Sequence, residues 1–143
     1  NGQVPEGYYT TEIGKAKIAK AGTDVTIITY GLGVHWAMDL ATKHPGHSIE
    51  VIDLRTLVPL DFETVYASVN KTGKVLVLHE DTLTGGIGAE ISARITEQCF
   101  ENLDAPVRRC ASLDTPVPFA AGLEKQFLAT NDLETIFHEL MEY

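Results

Sequence analysis

The sequence contains little cysteine, and its spacing points to neither a disulfide framework nor a zinc site. Cys99 and Cys110 are the two cysteines among 143 residues, and neither belongs to a Cys-x-x-Cys pair. The five histidines show no zinc-finger spacing with either thiol. We therefore expect no metal site, two reduced and buried thiols without reactivity, and a reducing compartment.

Positive charge is scarce as well. The chain has 11 Lys and Arg against 20 Asp and Glu, which gives a formal net charge of −9. Nucleic acids and anionic membranes are bound by clusters of Lys and Arg, so we expect neither as a partner, whereas a basic protein partner is compatible. No apolar run approaches the roughly 18 residues that span a bilayer, and we expect no signal peptide.

Apolar, β-branched runs alternate along the chain with segments of helical spacing. The predicted strands span residues 24–30, 48–54, 74–78 and 106–110. The predicted helices span residues 34–43, 62–70, 87–100 and 133–141, and Asp61 and Asp132 are the expected N-caps of the second and the last. This alternation predicts one α/β domain with a mainly parallel sheet that helices cover on both faces.

The first dozen residues differ in composition from the rest. Residues 1–12 are polar and include Gly2, Pro5 and Gly7, which is typical of a linker. We expect residues 1–12 to lead from an upstream segment into a domain at residues 13–143. A processed or frayed terminus is the alternative.

The first candidate site is the glycine turn between the first predicted strand and helix. Glycines at such a turn can let a phosphate approach backbone N–H groups. In Gly31-Leu32-Gly33, however, the third glycine of a Gly-x-Gly-x-x-Gly pattern would fall on Trp36, and no Walker lysine follows. We interpret the segment as a tight structural turn.

The second candidate is Arg55, just beyond the predicted strand at 48–54. Open α/β sheets place their sites at the carboxyl ends of parallel strands, and a guanidinium there can hold a carboxylate or phosphate with two hydrogen bonds. The alternative is a structural salt bridge to Asp53, to Asp61 or to a neighbouring chain.

The third candidate is the loop that begins at His79. A histidine beside Glu80 could perform acid–base work, but neighbours in an extended segment point in opposite directions. Gly85, Gly86 and Gly88 indicate a loop that bends sharply or passes close to another chain. We therefore expect an interface loop that includes His79, Glu80, Gly85 and Gly86. The sequence offers no nucleophile in an elbow motif and only fragments of a catalytic set.

These junctions match one family in order along nearly the whole chain. The matching segments are Ile13-Gly14-Lys15-Ala16-Lys17, Val51-Ile52-Asp53-Leu54-Arg55-Thr56, Lys71-Thr72-Gly73, His79-Glu80 with Thr84-Gly85-Gly86, Leu103-Asp104-Ala105-Pro106-Val107-Arg108-Arg109, and Asp114-Thr115-Pro116. The chain resembles the C-terminal, transketolase-like domain of the beta subunit of 2-oxo acid dehydrogenase decarboxylase components. The pair His79-Glu80 followed by Leu83-Thr84-Gly85-Gly86 resembles the branched-chain (2-oxoisovalerate) members, and pyruvate and acetoin dehydrogenases remain open.

The resemblance implies a three-layer α/β fold with about five strands and an assembly role. In such enzymes thiamine diphosphate and Mg²⁺ bind between a pyrophosphate domain and a pyrimidine domain, so we expect no cofactor on this domain and no activity in isolation. Residues 1–12 would join the pyrimidine domain. Arg55 is the one residue expected to face the assembled active site. The parent enzyme would lie in the bacterial cytoplasm or, in a eukaryote, in the mitochondrial matrix.

The resemblance also implies partners. They are the rest of the beta subunit, an alpha subunit or fused alpha half, a second beta domain across a dimer interface, and the basic peripheral-subunit-binding domain of the dihydrolipoyl acyltransferase. Acidic residues near the carboxyl end are the candidate docking site for the last: Glu124, Asp132, Glu134, Glu139 and Glu142. A solvated acidic face is the alternative for these acids. A stand-alone binding module and a flavodoxin-like small-molecule binder are the alternatives for the chain.

Overall fold

Five strands form one sheet in the order β1-β3-β2-β4-β5, as seen in a computed structural model that describes residues 5–143. The strands are β1 (Lys17–Lys20), β2 (Val25–Thr29), β3 (Ile49–Asp53), β4 (Val75–Thr82) and β5 (Arg108–Ser112), and the helices are α1 (Leu32–Lys43), α2 (Phe62–Thr72), α3 (Ile87–Cys99), α4 (Ala121–Phe127) and α5 (Thr130–Met141). Strand β1 pairs antiparallel with β3, and the other pairings are parallel. Within residues 5–143, every helix is too short or too polar to cross a membrane.

The sheet separates two apolar cores. On one face Ile27 and Leu76 pack with Phe137 beneath α1 and α5. On the other face Ile28 and Val77 pack with Ile91 beneath α2 and α3. Successive residues of a strand point to opposite faces, so the continuous apolar runs of β2 and β4 supply both cores. The predicted three-layer α/β fold with a mainly parallel sheet is confirmed.

Asp61 fixes the start of α2, as its sequence position predicted. Its carboxylate accepts hydrogen bonds from the Thr64 N–H at 3.2 Å and from the Ala16 N–H at 3.0 Å. Burial raises the pKa of Asp61, but the hydrogen bonds from Ala16 and Thr64 outweigh it, and the net pKa lies below its usual range. One side chain therefore caps a helix and anchors the segment that enters β1.

A buried polar network holds α2 against the sheet. Glu50, in β3, is 1% exposed and accepts hydrogen bonds from Lys71, Ser68 and the Gly22 N–H. Thr26, in β2, extends the network through a 2.6 Å hydrogen bond to the Ser68 hydroxyl. The charge of Glu50 is thus buried but satisfied, which is the condition for tolerating such a group in a core.

Three features differ from the sequence-based expectation. Strand β1 was not predicted because it is a short edge strand whose two lysines interrupt any apolar pattern. Helix α4 was also missed. Asp132 was wrong as an N-cap: α5 begins at Thr130, and Ala129 occupies the cap position. The Asn131 side chain instead joins the two helices, because its amide donates to the carbonyls of Lys125, Gln126 and Leu128.

The predicted linker lies partly outside the described residues, which begin at residue 5. Residues 5–12 are exposed and belong to no helix or strand. The boundary at residue 13 stays a prediction.

Candidate functional site

The three candidate junctions lie along one edge of the sheet. Because β2, β3, β4 and β5 run parallel, the segments that follow them, residues 30–31, 54–61, 83–86 and 113–120, end at the same side, here called the carboxyl edge. The chain leaves β2 for β3 and then crosses to β4 on the other side of β2. The point between β2 and β4 is therefore the topological switch point, where open α/β sheets usually bind ligands.

The glycine turn after β2 is a packing device. A Cβ atom on Gly33 would lie 2.1 Å from Oγ1 of Thr29, so any other residue would push α1 away from the sheet. Gly31 has a φ of 58° and caps α1 without a side-chain hydrogen bond. Trp36 packs against the core beneath α1. These contacts agree with the interpretation of this segment as a tight structural turn.

Arg55 lies at the carboxyl edge in an unusual backbone conformation. Its φ is 57°, in the left-handed region that residues with a Cβ rarely occupy. The Arg55 N–H donates to Oδ1 of Asp53 at 3.1 Å, and the Nε atom lies 4.0 Å from Oδ2 of the same carboxylate. Within residues 5–143 this is the one salt bridge of the guanidinium, and Asp61 is committed elsewhere. A third of the side chain is exposed, so the guanidinium keeps donors for another carboxylate or phosphate.

His79 is a core residue and not a surface base. Its side chain is fully buried, and its ring stacks on Tyr30 with centroids 6.4 Å apart and planes 8° apart. Gly86 and Gly88 lie close to the ring: a Cβ atom on Gly86 would come within 2.8 Å of it, and one on Gly88 within 2.3 Å. Burial lowers the pKa of His79, and Asp81 offsets only part of that effect. The imidazole is therefore neutral at pH 7.

Three neighbouring strands contribute buried polar atoms at their carboxyl ends. Thr29 Oγ1 at the end of β2, both ring nitrogens of His79 in β4 and Ser112 Oγ at the end of β5 have no hydrogen-bond partner among residues 5–143. The sequence pointed to His79 but not to Thr29 and Ser112, because single hydroxyls within strands give no pattern. These four polar atoms are buried, so they cannot contact a substrate directly in this conformation.

The end of β4, which continues to Thr82 where the sequence predicted a loop from His79, has the alternation that the sequence predicted. His79 points inward, and Glu80 is exposed. The tip is tied to the next junction, because the Thr84 N–H and hydroxyl donate to Asp114 at 2.8 Å and 2.6 Å. Gly85 has a φ of 80° and open space around its Cβ position. The interface role stays a prediction for Glu80, Gly85 and Gly86, whereas the His79 ring is corrected to an interior position, because the loop folds over it.

The five acids proposed for docking do not form one cluster. Glu139 lies beside Glu142 and forms a salt bridge with Arg108. Glu134 faces the opposite way, toward His44 and Lys43 of α1. Two further acids, Glu124 and Asp132, are exposed in the first turns of α4 and α5. The structure therefore brings together Glu139 and Glu142, but separates Glu134 from them.

The surface next to the contact between Thr84 and Asp114 exposes large apolar side chains. Phe119 is 104% exposed and Val117 63%, and Leu113 and Leu123 are about half exposed. We call these four side chains the apolar segment. Exposed apolar patches beyond scattered single residues mark interaction surfaces. The sequence did not predict this surface, because exposure cannot be inferred from the prolines of this stretch.

Among the described residues, three side chains lie close enough together to hold a metal ion. His44, Glu134 and His138 offer ligand atoms that lie within 4.8 Å of one another, a grouping that spacing along the chain does not reveal.

The residues that line the cavities and the carboxyl edge do not fit thiamine diphosphate. The open cavity of about 960 Å³ beside α3 has Glu101 and Asp104 in its wall and no Lys or Arg. In the segments of the carboxyl edge, the acids Asp61 and Asp114 outnumber the single guanidinium group of Arg55.

The fold and the carboxyl edge define the class of the chain, a three-layer α/β domain with a topological switch point between β2 and β4. Residues 14–132 match the family described as "Transketolase, C-terminal domain". The chain belongs to this family, and the resemblance proposed from its motifs is confirmed.

Curated relatives include beta subunits of two dehydrogenases. The chain is 44% identical over 146 residues to the 2-oxoisovalerate dehydrogenase subunit beta of Bacillus subtilis (strain 168), covering 99% of this chain and 45% of that protein. It is 47% identical over 118 residues to the subunit of the same name from Pseudomonas aeruginosa, covering 82% and 33%. It is 41% identical over 143 residues to the pyruvate dehydrogenase E1 component subunit beta of Staphylococcus aureus (strain Mu50), covering 99% and 44%. The chain thus spans less than half the length of these relatives.

Solved structures show the same fold. A split-gene transketolase, described as an inactive beta4 tetramer, superposes with a TM-score of 0.76 at 27% identity, covering 97% of this chain and 46% of that one. A 2-oxoglutarate:ferredoxin oxidoreductase from Magnetococcus marinus superposes with a TM-score of 0.51 at 17% identity, covering 89% and 19%. The second likeness concerns the fold alone.

Proposed function

We propose that this chain is the C-terminal assembly and docking domain of a thiamine-diphosphate-dependent 2-oxoisovalerate dehydrogenase. The parent enzyme would decarboxylate 3-methyl-2-oxobutanoate and transfer the acyl group to a lipoyl group. The domain would contribute no complete active site and would be inactive alone. Its role would be to hold the cofactor-binding domains, an alpha subunit and a second beta domain in place.

The observation that carries the assembly role is the exposed apolar segment. Full exposure of Phe119 leaves apolar surface in water, at a cost of roughly 25 cal/mol per Å² that burial against a partner would recover. The segment adjoins the loop held by Thr84 and Asp114, so it is continuous with the carboxyl edge. Arg55 lies at the same carboxyl edge, but after β3, three strands away in the sheet.

The assignment of 2-oxoisovalerate as the substrate depends on a sequence motif and not on the apolar segment. Relatives named for 2-oxoisovalerate and for pyruvate lie within a few per cent of each other in identity, at 44% and 41%. Overall identity therefore does not separate the two substrates. The His79-Glu80 pair with Leu83-Thr84-Gly85-Gly86 favours the branched-chain type. Pyruvate and acetoin dehydrogenases are the alternatives.

A chimera tests the assembly part of the proposal. The matching region of the Bacillus subtilis subunit would be replaced by this chain, and the product assayed for co-purification with its alpha subunit. We expect an assembled enzyme, and a folded chimera that fails to assemble contradicts the assembly role. The substrate assignment is tested separately on the full enzyme to which this chain belongs, by its turnover of 3-methyl-2-oxobutanoate and pyruvate, and preference for pyruvate contradicts that assignment alone.

The apolar segment provides the matched variants. Val117→Ser with Phe119→Ser removes exposed apolar surface without touching either core, and we expect it to abolish assembly while circular dichroism stays unchanged. Phe100→Ser is the control, because Phe100 is an exposed aromatic residue outside the segment. Equal assembly of both variants would show that the segment is not the interface.

The rival class is a stand-alone binding module of the same fold. The mass of the native gene product discriminates, because the enzyme proposal requires an upstream pyrimidine domain. Calorimetric titration of thiamine diphosphate and Mg²⁺ into the chain is a second test. We expect no binding, because the described residues offer no cationic cradle for a diphosphate, and micromolar binding would contradict the proposal.

A further inference from the structure

We propose that His44, Glu134 and His138 form a binding site for one transition-metal ion of the Zn²⁺ type. The three side chains come from two distant parts of the chain, the C-cap of α1 and the middle turns of α5. Each offers one ligand atom, and these atoms all lie within 4.8 Å of one another. The inference concerns this chain's own residues and does not rest on the proposed function.

Two imidazoles converge on one carboxylate oxygen. The Nε2 atom of His44 is hydrogen-bonded to Oε1 of Glu134, and the Nε2 atom of His138 lies 3.7 Å from the same oxygen. Tetrahedral coordination with bonds of about 2.0–2.1 Å places ligand atoms about 3.3 Å apart. The His138–Glu134 separation is already close to that value. The Glu134 carboxylate needs to rotate away from His44 by about an ångström to admit an ion, and its side chain is 44% exposed and free to do so.

The scaffold holds two of the three ligands in fixed relation. Glu134 and His138 are separated by one helical turn, so they share a face of α5. His44 is the C-cap residue of α1, and its ring packs on Phe137, with centroids 5.0 Å apart. Phe137 is fully buried, and only 17% of the His44 side chain is exposed. The 57% exposure of His138 leaves the outer side of the group open for a fourth ligand from solvent.

The donor set selects the class of ion. Two imidazole nitrogens with one carboxylate suit Zn²⁺, Co²⁺ and Ni²⁺, whereas Mg²⁺ and Ca²⁺ prefer oxygen ligands. Lys43 opposes binding, because its Nζ atom lies 4.0 Å from Oε2 of Glu134. That lysine is well exposed and can swing into solvent, so it weakens the site without blocking it. The thiols of Cys99 and Cys110 are buried and do not compete in the folded chain.

Calorimetry with Zn²⁺ and absorption spectroscopy with Co²⁺ test the site in the 143-residue chain. We expect one ion per chain, with the visible bands of four-coordinate Co²⁺ and no thiolate charge-transfer band. His138→Gln should weaken binding at least about tenfold, since losing a ligand costs at least as much as losing the partner that orients one. Glu134→Gln should have the same effect. Both residues are at the surface, so both variants should fold.

His35→Gln is the matched control, because His35 is an exposed histidine of α1 outside the group. Equal Zn²⁺ affinity of His35→Gln and His138→Gln would overturn the proposal. So would the lack of saturable Zn²⁺ binding, a thiolate band with Co²⁺, or equal competition by Mg²⁺. The first two outcomes would leave the His44–Glu134 contact as a hydrogen bond between two helices.

Discussion

A Cβ atom on Gly88 would lie 2.3 Å from Nε2 of His79, so the imidazole occupies the space that any side chain at position 88 would need. The ring cannot retreat, because it is fully buried and Tyr30 stacks on it. Gly88→Ala should therefore destabilise the fold by about 1–3 kcal/mol. Urea unfolding monitored by circular dichroism measures this change.

Gly122 provides the control for that substitution. It lies in α4, and nothing stands within 4 Å of its Cβ position. Gly122→Ala should leave stability unchanged or raise it by up to about 1 kcal/mol, the ordinary helix preference of Ala over Gly. If both substitutions stabilised the chain equally, the His79 ring would not be fixed against α3.

Glu50 should give the fold a specific acid sensitivity. Burial raises the pKa of Glu50, but hydrogen bonds from Lys71, Ser68 and the Gly22 N–H outweigh burial and bring the pKa below its usual value of 4.5. A carboxyl with a lowered folded-state pKa stabilises the fold above its unfolded pKa, and this contribution is lost as the pH falls through the folded pKa. We therefore expect stability to decline below about pH 4.5.

Glu50→Gln isolates this contribution. It should cost about 1.5–3 kcal/mol at pH 7, the range for hydrogen bonds to a charged group, and should flatten the decline in acid. Glu63→Gln is the control, because Glu63 is 92% exposed and lies 3.8 Å from Lys15. The free energy of unfolding of both variants is measured from pH 3 to pH 7. If its decline in acid is unchanged in Glu50→Gln, the assignment of the acid sensitivity to Glu50 is wrong.

Arg55 combines a strained backbone with an unsatisfied guanidinium. Arg55→Gly and Arg55→Ala remove the same charge, but only glycine occupies a φ of 57° without cost. The glycine variant should be about 1 kcal/mol more stable than the alanine variant. Thermal unfolding of both measures the difference, and equal stability would mean that the backbone relaxes.

The same pair tests function in the assembled enzyme. If Arg55 faces the active site, both variants should alter the turnover or the assembly of the full enzyme to a similar extent, whatever their stability. Unchanged kinetics and oligomer state in both would exclude that role and leave only the contact with Asp53.

The sequence predicted the sheet and the main helices because their signals are local. The β-branched run of β2, the Asp61 cap and the apolar stripe of Ile91, Ile95 and Cys99 each depend on a few neighbouring residues. Strand β1 was not predicted, because its structure depends on its pairing with β3. That strand lies about 30 residues further along the chain.

The candidate site was less predictable than the fold. His79 could be placed at a strand end, but its burial depends on Gly86 and Gly88, which fold back over the ring. The group of His44, Glu134 and His138 depends on α1 and α5 packing together around Phe137, and no spacing rule contains that information. The exposed apolar segment was missed for the same reason, since exposure is a property of the folded surface.

Charge reversal at the carboxyl-terminal acids tests the proposed docking of a basic domain. Glu139 is paired with Arg108 within the chain, so Glu139→Lys both removes an acid and frees a guanidinium. Combined with Glu142→Lys, which changes the acid beside it, it should weaken binding of an isolated peripheral-subunit-binding domain to the full enzyme about tenfold at low salt, because rim charges mainly steer association. The difference should shrink as salt rises. Glu63→Lys, on the opposite face of the sheet in α2, is the control. Equal binding of the double variant and the control would place the docking surface elsewhere.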